Sequence, residues 1–148
     1  MAEGRQIIQL GDTAIEIPSE LDWTDDEGTL VAYMPKTDFD NLRFTLLSIT
    51  DKSGNLSSGA GVRSVMRRCD ESNGKLERHG ETVWYHETEA ATEATKGSLM
   101  HYWYVGMDAY LLVVSCFMDA SKAKSAEAGA VLSSVIPAIR SFRRFAHA

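Results

Sequence analysis

A chain of 148 residues has the length of one domain, and 44% hydrophobic with 24% charged residues is a globular composition. This excludes disordered and collagen-like polypeptides, and a chain of this size buries a core without disulfide staples. The formal charge of −6 argues against nucleic-acid binding, whose affinity comes from Lys and Arg releasing counterions.

Residues 6–17 read as a hairpin, with Ile7, Ile8 and Leu10 before Gly11-Asp12 and Ile15 and Ile17 alternating with Glu16 after it. Pro18-Ser19 ends the second strand. Trp23 follows in a short polar segment and is expected to fold back as an apolar lid packed in the core. Residues 29–34 form a further strand, and 35–41 a polar connection. In 42–50 (LRFTLLSIT), Leu42, Phe44 and Leu46 share one face and Leu47 and Ile49 the other. Apolar residues on both faces predict a central strand covered on both sides.

After a turn at 51–55 the spacing predicts a helix over 57–72. Val62, Val65, Met66 and Cys69 make its buried stripe, Ser57 or Ser58 its cap, and Asn73-Gly74 its stop. Gly59 and Gly61 predict a late start. Residues 76–88 read as one strand centred on Val83, Trp84 and Tyr85. The 87–96 segment (ETEAATEATK) is either a helical turn or a long hairpin tip, because Ala favours helices and Thr strands. The strongest strands are 98–105 and 109–118, joined by Gly106-Met107-Asp108 as a hairpin. At the end, Val131, Leu132, Val135, Ile136, Ile139 and Phe142 recur at helical spacing. They predict a helix over 122–141, kinked or broken near Pro137, followed by a frayed RRFAHA tail.

This order predicts a single α+β domain over 1–148. A mainly antiparallel sheet is flanked by two amphipathic helices in an α/β/α-type sandwich. Ile15-Glu16-Ile17-Pro18 followed by Trp23, the LRFTLLSIT strand with the helix after it, and the closing IPAIRSF helix behind a long meander carry a resemblance. The pattern resembles the fold shared by the photosystem II extrinsic protein PsbP, the bacterial DcrB-like proteins and the yeast Ran-binding release factor. The resemblance implies helices flanking a sheet and mostly non-catalytic roles in binding partner proteins. It brings no catalytic residue set. The chain is also similar in general character to small, acidic bacterial toxin-immunity proteins.

No stretch reaches the roughly 20 apolar residues that span a bilayer, and the first residues lack the continuous apolar run of a secretory signal. The expectation is therefore a cytoplasmic protein without membrane contact. Cys69 and Cys116 read as buried free thiols; two isolated Cys do not make a zinc site. No phosphate-binding loop and no nucleophile elbow occur. His86 and His101 lie on strands that could be neighbours, so their rings could meet, but in a regular strand Glu87 points away from His86. Neither metal nor cofactor is expected.

The sharpest charge feature is residues 12–27. Asp12, Glu16, Glu20, Asp22, Asp25, Asp26 and Glu27 stand there without a Lys or Arg. Such a segment is ordinarily a solvated face, but it also steers cationic partners. With an aromatic among the acids, Asp22, Trp23, Asp25, Asp26 and Glu27 are the candidate partner-binding residues. The sequence reading is a non-enzymatic protein-binding module. Its specific form is a cytoplasmic bacterial immunity protein that neutralises a basic secretion-system toxin by occlusion. The alternatives are a secretion-system chaperone or assembly factor, a small-molecule or lipid carrier with Trp84, Trp103 and Tyr104 lining a cavity, and an enzyme using His86 or His101.

Overall fold

The computed structural model describes residues 4–26, 29–33, 42–89, 98–119 and 126–145. Its elements in chain order are β1 (Arg5–Leu10), β2 (Thr13–Pro18), β3 (Asp22–Asp26), β4 (Thr29–Tyr33), β5 (Leu42–Ser48), α1 (Ala60–Glu71), β6 (Glu77–His79), β7 (Thr82–Glu89), β8 (Ser98–Met107), β9 (Tyr110–Asp119), α2 (Ala126–Ser133), α3 (Val135–Ser141) and β10 (Arg143–Arg144). Seven strands form one sheet in the order β3-β4-β5-β9-β8-β7-β6, and β1-β2-β10 form a second. Neighbouring strands are antiparallel in both sheets. The α+β class expected from the sequence is the observed one.

Strand alternation divides the large sheet into two faces. Phe44, Trp84, Trp103, Val105, Leu112 and Val114 lie on one face. They pack with Ile8, Ile15 and Ile17 of the small sheet and with Val131, Val135, Ile139 and Phe142 of the C-terminal segment. On the other face α1 sets Val65 and Cys69 against Val83 and Tyr85. The layers are thus α1, the large sheet, and a mixed layer of small sheet with α2 and α3.

The start of α1 is held by the β8–β9 turn. Asp108, at φ 50, accepts through Oδ1 from the Gly59 backbone N–H at 2.8 Å and from Ser58 Oγ at 3.2 Å. Its carbonyl accepts from the Gly61 N–H at 2.8 Å. A Cβ on Gly61 would stand 2.1 Å from the Tyr110 carbonyl oxygen, and one on Gly106 would stand 2.6 Å from that of Gly61. Only glycines let helix and strand approach this closely. Arg144 adds an ion pair to Asp108.

Several expectations need correction. Residues 22–26 are a strand despite three Asp, which are depleted in strands; β4 supplies the pairing. Trp23 is 44% exposed rather than packed in the core. β5 is interior to the sheet, but α1 does not reach over it, and Leu47 is 48% exposed. Residues 76–88 are a hairpin turned at Gly80 (φ 60), not one strand. The cap of α1 is Gly59 with Asp108, not the side chain of Ser57 or Ser58. The break expected near Pro137 is present and falls at Ser134, three residues before it. The break leaves Pro137 in the first turn of α3, where its missing N–H has no helical partner to lose. Arg143 and Arg144 are not frayed: they pair with Ala14 and Thr13, and the Phe145 N–H reaches the Asp12 carbonyl at 2.8 Å. Met34, the 35–41 connection and most of the 87–96 segment lie outside the described residues, as do 122–125 and 146–148.

Candidate functional site

The acidic segment folds as a hairpin turn, a strand and an edge strand, and this scatters its charges. Glu16 on β2 is engaged by Arg143 Nη1 at 3.0 Å and lies 3.8 Å from Arg5 Nε. Asp22 and Asp25 are exposed on β3, which lies at one edge of the large sheet. Residue alternation puts Asp22 on one face of that strand and Trp23 and Asp25 on the other. The Asp26 backbone pairs with Thr29, and Glu27 lies outside the described residues. Trp23 bridges the edges of the two sheets. Its indole Nε1–H donates to Gln6 Oε1 at 3.1 Å, and Gln6 Nε2 donates to the carbonyls of Pro18 and Leu21 at 3.1 and 2.8 Å. With Ile8, Leu10, Asp25 and Leu30 it borders a small cleft of 140 Å³. The result is an indole fixed in orientation, partly open to water, on a strand edge of negative charge.

A second cluster stands at the other side of the large sheet. β7 and β8 pair so that His86 lies opposite Trp103 and Thr88 opposite His101. His86 Nε2 and His101 Nδ1 are 2.9 Å apart, a hydrogen bond with one proton between them. The rings are 9° from parallel with centroids 5.1 Å apart, and the His86 ring stacks on the Trp103 indole at 4.5 Å and 11°. Burial pushes both imidazoles below the ordinary histidine range. Glu87 partly opposes the shift at His86, and the neighbouring His86 adds to it at His101. A neutral pair suits the shared hydrogen bond, since a doubly protonated pair has no acceptor. Beside it lies a cleft of 620 Å³ bordered by Trp84, His86, Trp103, Lys75, Glu77, Ile136 and Arg140. Lys75 Nζ lies 3.6 Å from Glu77 Oε1.

Glu87 indeed points to the opposite face, where Arg68 of α1 lies 3.5 Å from it. Arg68 also donates to the Tyr104 hydroxyl at 2.9 Å and lies over its ring at 4.1 Å. Tyr104 is therefore across the sheet from Trp84 and Trp103, and the three do not line one cavity. Both cysteines are free and buried. Burial pushes the Cys116 thiol up to about 11 and raises that of Cys69, the opposite of what a thiolate nucleophile needs. Among the described residues no group of three or more His, Cys, Asp or Glu stands together as a metal site. No helix of the described residues is long and apolar enough to cross a membrane.

No family model and no curated protein sequence matches the chain. Solved structures do. A crystal structure from Bacteroides thetaiotaomicron superimposes with a TM-score of 0.69 at 16% identity, over 97% of this chain and 49% of the other. The solution structure of cyanobacterial PsbP (CyanoP) from Synechocystis superimposes with a TM-score of 0.56 at 13% identity, over 98% of this chain and 94% of the other. The fold is PsbP-like. At these identities the likeness speaks for the fold alone, and the chain spans about half the length of the Bacteroides protein.

Within this PsbP-like frame, the sequence already allowed the rings of His86 and His101 to meet, on strands that could be neighbours. It did not bring in Lys75, Glu77 or Arg140. Those come from the connection before β6, from β6 and from α3, and no spacing along the chain links them to the histidines.

Proposed function

We propose that the chain is a non-enzymatic protein-binding module that receives a basic partner on its β3 edge. Its biological use in this reading is that of a cytoplasmic immunity protein that neutralises a secretion-system toxin by occlusion. The observation that carries the reading is Trp23: an oriented indole, 44% exposed, on an edge strand that also exposes Asp22 and Asp25. Buried Trp anchors dominate the energy of protein interfaces, and surrounding charges steer the encounter. Several groups that could do chemistry are otherwise engaged. The histidines bond to each other, Glu87 is paired with Arg68, and the thiols are held protonated by burial.

The test is co-expression and pull-down with the product of the adjacent upstream gene. The expected outcome is a complex that protects cells from that product. Trp23→Ala weakens it by about 2 kcal/mol or more, as for an interface anchor. Asp22→Asn with Asp25→Asn slows association and flattens its salt dependence. If the protein neither binds nor protects, the immunity reading fails. Binding without protection favours the chaperone reading.

A further inference from the structure

We propose that the cleft between the β6–β7 hairpin and α3 is a binding site for a small planar aromatic anion, an aryl carboxylate or its like. It lies away from β3 and does not depend on the partner reading. Three observations converge on it. The first is shape: 620 Å³ falls within the roughly 300–1,000 Å³ of small-molecule sites.

The second is a flat wall. The His86 ring lies parallel to the Trp103 indole beneath it, and the hydrogen bond to His101 holds that ring in plane. A side chain supported from below and tethered at its edge offers its remaining face for stacking without losing much freedom on binding. Trp84, two residues before His86 on the same face of β7, also borders the cleft.

The third is charge. Lys75 and Glu77 lie 3.6 Å apart and offset each other. Arg140 borders the cleft from the last turn of α3 and is exposed; among the described residues it forms no ion pair. Its position opposes the helix dipole, which explains a cation there but not its place beside an aromatic wall. A guanidinium also matches a carboxylate with two parallel hydrogen bonds. With the histidines neutral, the described residues of the cleft carry one uncompensated positive charge, so it selects a monoanion over a neutral ring.

The experiment titrates the purified full chain with naphthoate and, in parallel, with neutral naphthylmethanol, following the indole N–H signals in proton–nitrogen correlation spectra. Trp23→Phe identifies which signal is Trp23. The expected result is saturable shifts at Trp84 and Trp103 with Trp23 unmoved, and an affinity for naphthoate at least roughly tenfold above the alcohol, as a charge-assisted contact gives. Arg140→Gln, an exposed change that leaves the core intact, removes that preference. His86→Ala weakens both ligands. Absence of saturation at millimolar ligand overturns the proposal. So does equal affinity for acid and alcohol, or an Arg140→Gln variant that keeps the preference.

Discussion

His86 and His101 share a proton in the folded chain and lose that arrangement on unfolding. Burial holds their folded pKa values below the unfolded value of about 6.5. A depressed histidine means that the unfolded chain binds more protons over the window between the two values. The stability contributed by the neutral pair is therefore present above about pH 6.5 and lost as pH falls through the folded values. Urea unfolding at about pH 7.5 and about pH 5 checks this. The native chain is expected to lose more stability across that interval than the His86→Gln/His101→Gln variant, whose carboxylates titrate as before. Equal losses would remove the pair as the cause. That the two rings could meet was legible, since alternation fixes the face of each. That they bond was not: the contact depends on the β7–β8 register, which is set by backbone pairing and not by any pattern of side chains.

At the scale of elements, α1 shows how a helix can be specified from outside itself. Its own sequence supplied the stop at Asn73-Gly74 and the stripe of Val62, Val65, Met66 and Cys69, of which Val65 and Cys69 are buried, Val62 is partly buried and Met66 is 43% exposed. The cap came from Asp108, 49 residues away from Gly59. Asp108→Ala is expected to cost about 1–2 kcal/mol for the lost cap, with a further penalty because Ala is strained at φ 50. Asp108→Asn keeps an acceptor oxygen and tolerates the left-handed backbone, so it loses less and chiefly forfeits the ion pair with Arg144. Denaturant midpoints of the two variants check the order, and an Asn variant as unstable as the Ala one would count against the cap. Gly59 and Gly61 were legible only as weak helix formers; the left-handed backbone of Gly59 and the close approach of Gly61 to Tyr110 of β9 are tertiary facts. β3 was illegible for the converse reason. Its composition argues against a strand, and only pairing with β4 makes it one. Pro137 was read correctly as a breaker, but the break moved to where the ring does least harm.

For the whole molecule, the charge of −6 is uneven. Residues 12–27 carry seven acids and no base, so the remainder sums to +1. Stability is uneven as well. The layer between the sheets joins residues from both sheets and the C-terminal helices, whereas the α1 layer buries a cluster of four residues, Val65, Cys69, Val83 and Tyr85. Regions with fewer buried apolar contacts open at lower free energy. Amide exchange is therefore expected to release α1 by a sub-global opening, while the amides of β8 and β9 exchange only with global unfolding. Val65→Ala lowers the protection of α1 by about 1–3 kcal/mol, the range for losing buried methyl groups. If α1 and β9 exchange at one common free energy, the layers are a single cooperative unit. The ion pair of Glu16 with Arg143 joins positions 127 apart, and this has a kinetic consequence. The β1–β2 hairpin closes within microseconds, but its third strand must be brought in from across the chain, and the entropy of closing that loop opposes it until the large sheet has shortened the path. During synthesis and refolding the outer edge of β2 thus waits unpaired, and in that interval another copy of the chain can compete for the place that β10 later fills.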